Sequence, residues 1–138
     1  MKVRCLLLLA AGLLIAADAP DDKAKQELAK FQGEWTVTLV EYDGNKTAEE
    51  NLNNQVVKIK GDKASLNQLK LTFKIDPTTT PRLIDVTLDM GQAYEGIYAF
   101  EGDTLKVCLC VAAEKQRPTE FSAPDMNHIL YVLQRAKQ

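Results

Sequence analysis

Histidine, cysteine and glycine are all scarce in this chain, and each shortage removes a class of chemistry. There is one histidine, His128, and there are three cysteines. A closed structural metal site takes four nitrogen or sulfur ligands, so no metal site is expected. Any histidine-based acid–base or nucleophilic catalysis would have to fall on His128, which heads a strand after a Pro-Asp turn and reads as an exposed strand-start residue. Seven glycines are spread through 138 residues and none builds a phosphate-cradling loop. Lysine and arginine form no run, and the formal net charge is −2, which gives no electrostatic case for nucleic acid. The longest apolar run, Cys5 to Ala17, has about 13 residues against the roughly 20 of a membrane helix. The expectation is a protein that is not an enzyme and carries no cofactor.

What is present begins with a leader. Met1-Lys2-Val3-Arg4 is basic, Cys5 to Ala17 is apolar, and Ala17-Asp18-Ala19 has the small-x-small form of a cleavage site, the pattern of a secretory signal peptide over residues 1–19. Cleavage there leaves 119 residues, 20–138, enough for one domain with a real core, and loss of Lys2, Arg4 and Asp18 takes the net charge to −3. An exported location and no lasting membrane insertion follow. Only Cys108 and Cys110 survive cleavage. Two apart on one strand, their Cα atoms stand about 6.5–7 Å apart, at the outer limit for a disulfide. They read as half-buried small hydrophobes beside Ile97.

The remaining chain alternates. Asp22 to Gln32 is helical, with Ala24, Leu28 and Phe31 on one stripe that must pack on something. It is expected across one end of the sheet. Trp35, Val37 and Leu39 then share one face of a first strand, and Thr47 to Asn54 is polar, with one helical turn near Glu49. Val57 pairs with Leu66 and Ile59 with Ala64 around Gly61-Asp62. A bulge or tight turn at Asn67-Gln68 switches the apolar parity to Leu69, Leu71, Phe73 and Ile75. Ile84, Val86 and Leu88 follow. The clearest hairpin turns at Gly102-Asp103, a two-residue loop suited to type II′. It pairs Phe100 with Leu105, Tyr98 with Val107, Gly96 with Leu109 and Tyr94 with Val111. Ile129, Tyr131, Leu133 and Arg135 share a face of the last strand. About eight short strands, one helix and no βαβ alternation make an all-β architecture.

Gly33-x-Trp35 behind a short helix, with Arg135 ending the last strand, resembles the lipocalin and calycin arrangement, an eight-stranded antiparallel barrel in which a tryptophan closes the base and a late arginine lies across it. Indole face and guanidinium attract, so Trp35 and Arg135 are expected to form a structural clasp. A closer resemblance, over Leu28 to Arg135, is to an uncharacterised domain family of planctomycetes and similar bacteria. It rests on Phe31-Gln32-Gly33-Glu34-Trp35, Ile75-Asp76-Pro77, Pro81-Arg82-Leu83-Ile84-Asp85, Gly96-Ile97-Tyr98, Gly102-Asp103-Thr104-Leu105 with Cys108, Arg117-Pro118-Thr119-Glu120-Phe121 and Leu133-x-Arg135. That resemblance implies a bacterial, exported, lipocalin-like domain without assigned catalytic residues.

Two functions are then expected to compete. One is binding of a small apolar or amphipathic ligand, with Tyr94, Tyr98, Phe100, Val107 and Leu109 lining the site. A cavity above roughly 300 Å³ lined by these aromatics favours it. The other is an interaction module that docks a protein or envelope component. A filled interior with an apolar patch exposed around Ile97 and Cys108 favours that. Asp85, in an otherwise apolar strand, and Arg117, before a proline, are expected to pair, as an anchor in the cavity or as a strut for the Arg117 loop.

Overall fold

The computed structural model describes residues 20–113 and 116–136. The expected signal peptide, 1–19, lies outside the described residues. Helix α1 (Pro20–Phe31) opens on a proline, whose fixed φ suits a first helical turn. Nine strands follow: β1 (Gly33–Tyr42), β2 (Asn45–Ala48), β3 (Val56–Lys60), β4 (Lys63–Leu66), β5 (Leu69–Asp76), β6 (Arg82–Leu88), β7 (Ala93–Glu101), β8 (Thr104–Cys110) and β9 (His128–Arg135).

Each strand from β3 to β9 pairs antiparallel with the next, and β1 joins both β3 and β9. The sheet therefore closes on itself as an eight-stranded antiparallel barrel of lipocalin type. Closure removes the exposed edges that an open sheet of this length would carry. Strand β2 is a ninth, outer piece. It folds back on Leu39–Tyr42, while Gly33–Thr36 at the other end of β1 pairs with β3.

Turn chemistry sets most of this register. Gly61 and Gly102 sit at φ of 65° and 62° as the first residues of two-residue turns, where only a residue free of Cβ crowding is comfortable. The first of these turns aligns Val57 with Leu66 and Ile59 with Ala64. The second aligns Phe100 with Leu105, Tyr98 with Val107 and Gly96 with Leu109. The ladder stops there, so Tyr94 and Val111 are not partners. Asn67-Gln68 is a tight turn between β4 and β5, and it accounts for the parity switch.

Two expectations fail on β1 and β2. A β-bulge lies between Val37 and Leu39 in the pairing of β1 with β9. It shifts the alternation by one, so Val40, not Leu39, joins Trp35 and Val37 on the core face. The segment 45–48 is a strand although three of its four residues are polar. It needs no apolar face because it lies outside the closed ring.

Helix α1 lies across one end, here the base. Phe31 is fully buried there against Phe73, Tyr98 and Phe100, with ring centroids 4.9–5.2 Å apart and tilted or edge-on. The opposite end, where the 43–44, 67–68 and 89–92 turns and the long β8–β9 connection lie, is the mouth.

Candidate ligand-binding site

Inside the barrel, above Phe31, is a cavity of about 280 Å³. It reaches the mouth between Leu66, Leu69, Leu88 and Val111. Every barrel strand but β1 lines it, mostly with leucine, isoleucine, valine and phenylalanine, β7 through Tyr94 alone. Polar atoms on side chains come only from Ser65, Tyr94 and Tyr131. Scaled from a cavity of about 150 Å³ that accepts benzene, the volume takes roughly eleven carbon-sized atoms. That is just under the roughly 300 Å³ at which small-molecule pockets usually begin.

Of the residues expected to line a site, Tyr94, Val107 and Leu109 do so. Tyr98 and Phe100 do not. They point inward as the alternation requires, but at the level of the base, where α1 inserts Phe31 between them and the open volume. Tyr98 is 1% exposed. Its hydroxyl donates to Glu27 Oε2 at 3.0 Å, and burial, reinforced by the Glu27 charge, drives its pKa far above the ordinary phenol value. The two rings are floor, not wall.

Glu27 is a buried carboxylate, its side chain only 7% exposed, and it holds α1 to the barrel. Besides Tyr98 it meets Lys30 Nζ at 3.0 Å and Arg82 Nε at 3.4 Å. A carboxylate taken this far from water needs such partners. It was not singled out from the sequence, although position 27 falls on the stripe of Ala24, Leu28 and Phe31, where an acidic residue is out of pattern.

Trp35 and Arg135 are register partners on β1 and β9. The guanidinium carbon stands 4.3 Å from the indole centroid. Arg135 also donates to the carbonyls of Lys30 (2.9 Å) and Gln32 (3.0 Å) at the end of α1. The indole N–H donates to Phe31 O at 2.7 Å. Helix, first strand and last strand thus meet around one ring, and a cation sits where the helix dipole is negative.

Asp85 and Arg117 pair at 2.9 Å, but on the outside of the barrel. The Asp85 side chain is 52% exposed, since it alternates outward between buried Ile84 and Val86. A buried pair, or an anchor in the cavity, is therefore excluded. Arg117 donates as well to Gly96 O at 2.8 Å and Ile84 O at 3.4 Å, and lies 3.6 Å from Glu95. It staples the β8–β9 connection onto β6 and β7.

That connection covers a second apolar cluster. Ala123, fully buried, and Phe121 pack over Ile97, Cys108 and Leu130 on the outer face. The exposed apolar patch around Ile97 and Cys108 that would favour an interaction module is therefore not present, because an irregular segment lies on it. Cys108 and Cys110 are free thiols, buried rather than half-buried. Burial pushes the Cys108 pKa up to about 11, and its thiol donates to Ser122 O at 3.4 Å. His128 is half-buried, not exposed, with Nδ1 3.9 Å from Asp125 and Nε2 enclosed without a partner among the described residues.

Among the described residues no group of three or more His, Cys, Asp or Glu side chains is placed to hold a metal ion, and no helix is long and apolar enough to cross a membrane. Comparison of the chain with protein-family models, with curated proteins and with solved structures finds no match in any of the three.

Proposed function

We propose that this chain is an exported carrier that binds a small, largely apolar molecule inside the barrel and catalyses no reaction. The observation that carries this is the combination of an open volume of about 280 Å³ with walls that are almost entirely hydrocarbon. Cores of ordinary domains close up around such space, because side chains facing a void lose their contacts. Here Tyr98, Phe100, Phe31 and Trp35 fill the base, yet the volume above them stays open and continuous with the mouth. Burying about eleven carbons at roughly 0.8 kcal/mol each, less at least about 4 kcal/mol of lost freedom, leaves about 5 kcal/mol. That corresponds to a dissociation constant of roughly 200 μM at the tightest. Export rests on the leader pattern of residues 1–19. Native mass spectrometry of protein purified without detergent from its own host tests the reading. A co-purifying molecule of about eleven heavy atoms is expected. Bare protein that also fails to take up any apolar probe would overturn it.

One observation favours the second reading, an interaction module. All four large hydrophobic residues exposed among the described residues, Tyr42, Leu69, Met90 and Met126, lie at the mouth end. A mouth that docks its ligand's donor or acceptor would use them, and this reading is compatible with the first.

A further inference from the structure

Within the cavity the two tyrosine hydroxyls are not equivalent. That of Tyr94 reaches Gln92 Oε1 at 3.4 Å at the exposed rim. That of Tyr131 has no hydrogen-bond partner among the described residues, although its ring lines the cavity. Burial, with a smaller contribution from the nearby Tyr94, raises the Tyr131 pKa, so this hydroxyl is a neutral donor at any physiological pH. Tyr131 is only partly buried, so its unpartnered hydroxyl is left to solvent or to whatever fills the cavity, and polar groups in such surroundings nearly always find a partner.

We propose that Tyr131 reads the ligand, donating to a single uncharged oxygen on an otherwise hydrocarbon molecule of about eleven heavy atoms. This rests on the cavity being a binding site and adds the chemical class: a ketone, aldehyde, ester or alcohol. A carboxylate does not fit. No lysine, arginine or histidine lines the cavity, and an unpaired anion is not tolerated in such surroundings. A plain alkane fits by size but leaves the Tyr131 hydroxyl unmet.

The test uses n-decane, 2-decanone and decanoate as probes at neutral pH, titrated into the purified protein and into Tyr131→Phe and Tyr94→Phe. Loss of one neutral hydrogen bond changes affinity roughly 3- to 10-fold. Tyr131→Phe is therefore expected to weaken 2-decanone by that factor while decane stays within about twofold. Tyr94→Phe weakens 2-decanone less than Tyr131→Phe does, and decanoate binds the unaltered protein more weakly than 2-decanone. Decane weakened as much as 2-decanone would show a packing role only and overturn the assignment. So would a 2-decanone affinity indifferent to Tyr131→Phe, one that falls equally in Tyr94→Phe, or tighter binding of decanoate. If neither decane nor 2-decanone binds the unaltered protein, the cavity reading itself falls; if decane binds but the ketone shows no Tyr131 dependence, only this inference does.

Discussion

Replacing Arg135 by methionine keeps a long, flexible side chain over the indole while deleting the charge and all the donors. Three interactions go with it. The two hydrogen bonds to Lys30 O and Gln32 O are charge-assisted, and such bonds contribute about 1.5–3 kcal/mol each when shielded. The cation over Trp35 adds roughly 0.5–2 kcal/mol. Because the Arg135 side chain is 39% exposed, water replaces part of what is lost, and the lower ends of these ranges apply. The exposed Asp103, 3.9 Å away, adds nothing to the sum. The expected cost is about 3 kcal/mol, a large share of the 5–15 kcal/mol typical of a domain and worth roughly 12 °C in Tm. Urea unfolding followed by far-UV circular dichroism measures it. Tryptophan fluorescence adds a local probe, since Trp35 is the chain's one tryptophan. A double-mutant cycle with Trp35→Phe isolates the cation–π part, and most of the cost should persist in the Trp35→Phe background because the helix carbonyls are still lost. An Arg135→Met protein within about 1 kcal/mol of the parent would refute the reasoning.

Asp85→Asn should cost less than about 1 kcal/mol, as exposed pairs do, whereas Arg117→Ala loses its bonds to the Gly96 and Ile84 carbonyls and should cost about 2 kcal/mol by the same urea assay; equal costs would put the pair, not the main-chain staple, in control. Gly96→Ala places a methyl group onto the Cys108 carbonyl oxygen and 2.6 Å from Leu109 Cδ2, so a loss of about 2–3 kcal/mol is expected, and a neutral result would mean the β7–β8 spacing is looser than described. The Cys108 thiol is protonated in both folded and unfolded chains below pH 9; as pH rises from about 9 to about 11 the unfolded chain ionises first, and about 2–3 kcal/mol of stability is lost. The fall in stability over that window should therefore be shallower in Cys108→Ala, and identical slopes would contradict the burial of that thiol.

Strand positions and most registers were legible because period-two alternation and the Gly-Asp turns agree at Gly61-Asp62 and Gly102-Asp103. The bulge after Val37 was not, since Leu39 and Val40 are both apolar and either can face inward. Strand β2 escaped notice because a strand outside the ring needs no apolar face. The inward set of β7 was read correctly as a face, but which of its residues reach open space depends on how deep α1 seats Phe31. That is a matter of packing between distant segments, and it moved Tyr98 and Phe100 from wall to floor. The pairing of Asp85 with Arg117 was visible in their charges. Its exposure followed from strand parity, which outranks the apolar character of neighbouring residues. Tyr131 was placed on one face with Ile129 and Leu133 beforehand, but only the surroundings of its hydroxyl distinguish it from Tyr94.

The central claim is that the barrel's open interior takes up apolar molecules of limited size. Calorimetric titration with a homologous series of 2-alkanones from six to sixteen carbons tests it most directly. The account predicts that affinity rises about fourfold per added methylene, at roughly 0.8 kcal/mol each, and levels or falls once the chain exceeds about eleven heavy atoms. No binding at any length, or affinity that climbs without a break through sixteen carbons, would contradict it.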